Sequence, residues 1–342
     1  MNNTLTALKG VRVGHATHFD KLTGSTVVLF DDFYPVAYVS YGGAPGTFST
    51  ENLKVGKSFS KRIGLFVSGG SLTGLASAAT IMDWMIEKGI GDKDGAMINP
   101  PISGAIVYDL GVYIKQFDPE YGREAVENAT TDPVENGNVG AGTGTTVGSF
   151  SYTKDLKRLD MKAGVGSAKV DLGNEVIVCS LSVVNALGNI ILPNGIILAG
   201  NRHDTDEANF RTFNKQLDFL TNKSSNTTIS IVGTNAKLKS QADYERVAHI
   251  ASHGQVRAIY PVHTSVDGDT VFVFSTEKID DYLSPLGKSI QKNSWPELNV
   301  DVIAQAAAKA VQDSIYNACE QADTIKFREA YQGVIPSCKD YK

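Results

Sequence analysis

The sequence predicts an α/β protein, and three observations carry that expectation. Short runs rich in Val, Ile and Phe recur between glycines at a length suited to buried strands. Three longer segments show apolar residues at helical spacing, and the faces so formed are alanine-rich enough to pack closely on a sheet. The strand candidates are STVVLFD (25–31), RIGLFVS (62–68), GAIVYDL (104–110), EVIVCSLSVVN (175–185), TISIVGT (228–234) and DTVFVFS (269–275). They imply one or two sheets. The first helix, SLTGLASAATIMDWMIEKG, is expected to bury Leu75, Ala78, Ala79, Met82 and Ile86 and to stop at Gly89, a natural residue just past a helix end. The second, KLKSQADYERVAHIASHG, carries Ala242, Val247 and Ile250 and is expected to stop at Gly254. The third, NVDVIAQAAAKAVQDSIYNACEQ, aligns Ile303, Ala306, Ala307, Ala310, Val311 and Ile315 behind an Asn299 N-cap.

A chain of 342 residues, 42% hydrophobic and 20% charged with 33 glycines, can bury a core as one large domain or two ordinary ones. The formal net charge of −5 and the pI near 5.7 argue against nucleic acid or an anionic membrane as partner, and no cluster of Lys and Arg appears. The first residues, MNNTLTALKGVRVGHAT, lack a basic and then apolar signal, and no apolar run approaches the roughly 20 residues that span a bilayer. A cytoplasmic location is expected. Cys179, Cys319 and Cys338 are odd in number and far apart, which suggests neither a disulfide framework nor a zinc site. No internal repeat or low-complexity segment occurs. The linker-like stretch is RHDTDEANFRTFNKQLDFLTNKSSN (202–226), polar and charged, a segment that could be cut without destroying a core.

Several familiar motifs fail on spacing. VGAGTGTTVG (139–148) does not fit G-x-G-x-x-G, and VGKS (55–58) and LGKS (286–289) lack the upstream glycine of a phosphate loop. The DGD at 267–269 is not followed by the alternating ligands of a calcium loop, and no H-E-x-x-H is present. His263 near the DGD could be a base, although a lone histidine beside a strand is more often structural. SGGSLTG (68–74) misses the spacing of a serine elbow. What remains is SNTTISIV (225–232), where small polar residues open a β-branched run. One reading is a loop handing over to a strand, with the Asn226-Thr227-Thr228 sequon a chance match. The other is a cut after Asn226, which would give Thr227 a free amine beside its hydroxyl. That amine, with a pKa of about 8, can take the proton of its own hydroxyl.

At this point seven blocks in order tie the chain to a family: GVRVGHAT with LTGSTVVL, SGGSLTGLASAATIMDWM, GAIVYDLG, GNVGAGTGTTVG, VVNALGNI, NTTISIVGTNAKL and RAIYPVHTSVDGDTVFVFST. The chain resembles the self-processing N-terminal-nucleophile family of L-aminopeptidase/D-alanine esterases, β-peptidyl aminopeptidases and 6-aminohexanoate-oligomer (nylon-oligomer) hydrolases, over nearly its whole length. The resemblance implies a four-layer αββα sandwich, one domain over 1–342 cut between Asn226 and Thr227 into associated fragments 1–226 and 227–342. It implies Thr227 as nucleophile, Asp267 and Asp269 as acids that hold its amine and orient its hydroxyl, Asn185 as a donor to the developing oxyanion, and Tyr108 as an aromatic hydroxyl of the site. It also implies a homo-oligomer, a tetramer by resemblance, and chemistry that requires no metal or organic cofactor.

Two departures bear on substrate. Ser149 stands where the nylon-oligomer hydrolases carry a lysine after the glycine-rich block, and Ile106 stands where aminopeptidase members carry an acid that holds a substrate ammonium. Ile106 tilts the expectation toward an amidase acting on linear amide oligomers. An aminopeptidase or D-amino-acid esterase/amidase is the alternative, and an unprocessed, non-catalytic relative is a third reading.

Overall fold

A computed structural model describes residues 2–109, 117–150, 158–203, 209–212, 226–280, 298–326 and 334–341. Nine strands form its main sheet system: β1 (Val11–His18), β2 (Thr23–Ser40), β3 (Thr47–Phe48), β4 (Lys61–Ser68), β5 (Ile102–Ile106), β6 (Val165–Asp171), β7 (Ile177–Asn185), β8 (Thr227–Ala236) and β9 (Thr270–Ile279). Their order is β6-β7-β8-β9-β2-β4-β5-β3, with β1 also on β2. The 18-residue β2 serves two sheets. Its first half pairs with β1 and β4, its second half with β9, and the register breaks between Leu29 and Tyr34, where Asp31 and Asp32 face solvent. Only β8–β9 and β4–β5 are parallel pairs among these strands.

Four layers follow from alternation along the strands. In β8, Ile229 and Ile231 enter the core between the two sheets, while Val232 faces the opposite side. In β9, Phe272 and Phe274 point to the inter-sheet core, and Val271 and Val273 point the other way. That inter-sheet core also holds Val28, Phe30, Leu65, Val67, Leu181 and Val183. The outer face of the β6–β9 sheet is covered by α3 (Gln241–Ala258) and α4 (Leu298–Glu320), and that of the β4–β5 sheet by α1 (Ser77–Glu87) and α2 (Glu120–Glu127). The architecture is the αββα sandwich that the resemblance implied. Among the described residues no helix is long and apolar enough to cross a membrane.

Local expectations fared unevenly. The alanine-rich face of α4 is buried at all six positions named from the sequence. The helix itself begins at Leu298, so Asn299 does not precede it, and the Asn299 side chain lies outside the described residues. In α1 the buried stripe is Ala78, Ile81, Trp84 and Met85, whereas Ala79 and Ile86 are exposed. Residues 71–76 wind as a 3₁₀ helix with about three residues per turn, so a stripe counted from Leu75 loses phase before the α-helix starts. Gly89 does lie just past the end of α1, with φ +70. Helix α3 is capped by Ser240, whose side chain accepts from Asp243 N–H while Asp243 bonds back. It runs through Gly254 to Ala258, because that glycine serves packing: a Cβ there would lie 2.3 Å from the Ala308 carbonyl oxygen of α4. The strand expected at 104–110 ends at Ile106, Leu110 lies outside the described residues, and β1 and β6 were not among the expected strands.

Candidate active site

Thr227 is the first residue of β8, at one end of the inter-sheet core. Its side chain takes the same side as Ile229 and Ile231, and the antiparallel register sets it opposite Asn185, the last residue of β7. Both are buried, as are Asn226, Asp267, Asp269 and Ser149. Thr228 points to the other face of the strand, toward α3, where Gln255 Nε2 donates to its carbonyl at 3.0 Å. The tertiary structure therefore separates the two adjacent threonines.

The peptide bond before Thr227 is gripped from two sides. The Thr227 hydroxyl donates to the carbonyl oxygen of Asn226, and the same oxygen accepts from Gly268 N–H at 3.0 Å. Asn226 also pairs as a parallel bridge with Asp267, and its side-chain Oδ1 accepts from Ser149 Oγ at 2.7 Å. Gly268 has to be small. A Cβ there would stand 2.8 Å from Thr227 Oγ1 and 3.1 Å from the Ala44 carbonyl oxygen.

The two acids of the DGD turn are held differently. Asp269 Oδ1 accepts from Thr228 N–H at 2.7 Å, while its Oδ2 accepts from His263 N–H at 3.0 Å and lies 2.9 Å from His263 Nδ1. Asp267 uses one oxygen only: Oδ2 accepts from Thr264 N–H at 2.9 Å and Thr264 Oγ1 at 2.6 Å, and Oδ1 is buried with no protein partner. Burial, with the Asp269 charge beside it, pushes the Asp267 carboxyl up to about 7.

Asn185 is fixed at both ends of its amide: Oδ1 accepts from Thr146 N–H at 3.0 Å, and Nδ2 donates to the Tyr108 carbonyl oxygen at 2.8 Å. Tyr108 therefore joins the cluster through its backbone, with a half-buried side chain. The backbone donor on the Asn226 oxygen is Gly268 N–H, and one proton of the Asn185 amide goes to the Tyr108 carbonyl. Ile106 is the last residue of β5. It is buried, its N–H donates to the Gly46 carbonyl at 3.0 Å, and its side chain would be 2.6 Å from a Cβ on Gly46.

Three contributors were not legible as such in the sequence. Gly268 reads as the middle of a DGD, and nothing local shows that its N–H meets residue 226. His263 was read as structural, and it has φ +57, a left-handed backbone that turns its own N–H and its ring toward one carboxylate. Lys162 is fully buried, which pulls its amine down to about 7, and it donates to the carbonyls of Gly142 (2.8 Å), Thr145 (3.0 Å) and Ala163. It thereby braces the glycine-rich loop whose Thr146 N–H holds Asn185. A lysine inside the apolar stretch DMKAGVG was the available signal. Most of the linker at 202–226 lies outside the described residues.

Residues 3–332 match peptidase family S58. An uncharacterized aminopeptidase of Mycobacterium tuberculosis is 32% identical across 98% of this chain and 100% of its own length. A 6-aminohexanoate-oligomer endohydrolase of Paenarthrobacter ureafaciens is 29% identical across 90% of this chain and 84% of its own. Among solved structures, a Burkholderia β-aminopeptidase superposes with a TM-score of 0.70 at 18% identity, covering 100% of this chain and 93% of that one. The L-aminopeptidase D-Ala-esterase/amidase of Ochrobactrum anthropi, described as a variant of the Ntn hydrolase fold, gives 0.71 at 18%, covering 98% and 90%. The chain thus belongs to peptidase family S58, and it is an amide-bond hydrolase of the peptidase/amidohydrolase class.

Proposed function

We propose that the chain cuts itself between Asn226 and Thr227, and that the amino-terminal Thr227 so formed hydrolyses amide bonds of small linear amide oligomers or short peptides. The observation that carries this reading is the pairing on one oxygen: the Thr227 hydroxyl and the Gly268 N–H both meet the Asn226 carbonyl. The hydroxyl adds to that carbonyl carbon, the C–N bond breaks, and the hydroxyl proton passes to the departing nitrogen. Water then cleaves the resulting ester, leaving a carboxylate on Asn226 and a free amine and hydroxyl on Thr227.

In turnover the amine takes the hydroxyl proton, Thr227 is acylated as the substrate's amine leaves with that proton, and water then cleaves the ester, releasing the acyl group as a carboxylate and restoring the Thr227 hydroxyl. Gly268 N–H and the second proton of Asn185 Nδ2 suit the oxyanion, where one lost donor typically costs about 10²–10³ in rate. Asp267 and Asp269 hold the amine, while Tyr108 and Ser149 border the acyl group. Ile106 presents no charge to a substrate ammonium. Free and N-acetylated 6-aminohexanoate oligomers are therefore expected to be cleaved at comparable rates, and an absolute need for the free amine would move the assignment to an aminopeptidase, as the mycobacterial relative is named.

A denaturing gel with intact mass tests the central step. The wild-type chain gives fragments 1–226 and 227–342, and Thr227→Ala gives one 36.6 kDa species without hydrolysis. Full activity in that variant, or a single chain in the wild type, overturns the reading. Thr228→Ser, on the opposite face, retains both steps.

A further inference from the structure

The two acids beside Thr227 differ in how their oxygens are used. Every partner of Asp269 is a donor: Thr228 N–H on Oδ1, and His263 N–H with the His263 ring on Oδ2. Because Oδ2 already accepts from a backbone N–H, the proton between ring and carboxylate belongs on Nδ1. Asp269 is thus used only as an acceptor, which is how an ionised carboxylate is bound. Asp267 has two donors on Oδ2 and none on Oδ1, so that buried oxygen is the place in the pair where a proton can sit. Two carboxylates this close in a buried site do not readily ionise together, and the unevenly solvated member keeps the proton.

We propose that His263 is a positioning residue: by donating to Asp269 through ring and backbone it fixes that acid as the carboxylate of the pair, leaving Asp267 as the acid that holds the exchangeable proton. The inference deepens the Thr227 reading by naming the group that can share a proton with the amine formed one residue beyond the Asn226–Asp267 bridge. The upward displacement of the Asp267 carboxyl to about 7 agrees with this division. His263 Nε2 is buried with no protein partner, so among the described residues its ring has Asp269 as its one hydrogen-bond partner. The other titratable groups facing it are Tyr41, stacked on the ring at 5.3 Å, then His249, whose Nδ1 lies 2.6 Å from the Tyr41 hydroxyl, then Glu245, 3.7 Å from His249 Nε2.

The test uses the infrared band of protonated carboxyl groups, titrated in the full-length Thr227→Ala chain, so it needs no turnover and holds whether or not Thr227 is the nucleophile. Burial also pushes the Asp109 carboxyl up to about 6, so Asp267→Asn is expected to remove one component, the upper one, of the absorption that titrates near neutrality. His263→Gly and His263→Asn both suit the left-handed backbone. The glycine variant removes the ring donor, which destabilises the Asp269 carboxylate, lets Asp269 compete for the proton and is expected to move the pair's upper titration upward. The asparagine variant, whose amide can donate from nearly the same place, restores most of that shift. An absorption whose upper component is unchanged by Asp267→Asn overturns the proposal, as does an upper titration unmoved by His263→Gly. An equal shift in His249→Gln assigns the effect to the outer chain of groups and overturns it as well. In the self-cleaving wild type the acidic limb of hydrolysis should move in the same direction; loss of Thr227-dependent hydrolysis with the infrared result intact would remove the functional reading alone.

Discussion

Asp267 is the residue at which the site's chemistry and the protein's stability oppose each other. Unfolded, its carboxyl releases a proton near 3.8; folded, burial raises that to about 7. Between those values the unfolded chain binds fewer protons than the folded one, so stability falls as pH rises through the window and the loss is complete above it. Asparagine keeps the acceptor for Thr264 and never ionises. In the uncut Thr227→Ala background, Asp267→Asn should leave the melting temperature nearly unchanged at the acid end of this window and raise it at the neutral end. A uniform change across pH would mean that the side chain acts through packing alone. Gly268 gives a second test. A methyl placed 2.8 Å from Thr227 Oγ1 displaces the hydroxyl, and Gly268→Ala should slow self-cleavage about 10²-fold with the fold retained. Cleavage at the wild-type rate would remove Gly268 from the account.

At the scale of elements, the clearest contact is between α3 and α4. Gly254 lies within α3, and a side chain there would strike the Ala308 carbonyl and approach Val311 and Gln312 of α4. Gly254→Ala should improve intrinsic helix propensity yet lower stability by about 1–3 kcal/mol, because overpacking against backbone outweighs the gain. An unchanged urea midpoint would show that the helices do not approach so closely. The sequence reading placed this glycine at the helix end, a sound local inference that fails because the constraint comes from a helix more than forty residues later in the chain. Thr227, Asn185 and the DGD were legible because each sits inside a contiguous block. The pairings within the site were not: Ser149 meets Asn226 and Asn185 meets the Tyr108 carbonyl across sequence separations of 77 residues each.

For the molecule as a whole, strand order governs what a cut before Thr227 can do. β8 and β9 belong to the segment after the cut and lie between β7 and β2, which belong to the segment before it. Both borders are backbone ladders, and Ile229, Ile231, Phe272 and Phe274 fill the same core as Val28, Leu65, Leu181 and Val183. The two fragments are expected to co-elute under native conditions and to separate only in denaturant, in one transition. Fragments that part on a native column would contradict this order.

The sequence by itself determined the class of fold and the family, and singled out Thr227 and the Asp267/Asp269 pair as candidates, because alternation, helical spacing and contiguous motifs are local properties of the chain. Only the tertiary structure decided that β2 serves two sheets, that Thr227 and not Thr228 meets the Asn226 carbonyl, and that His263 holds one acid while the other keeps a bare oxygen. Those outcomes depend on strand register and on donors brought from distant segments, and each is set by satisfying buried polar groups in a packed core, which residues read one neighbourhood at a time do not specify.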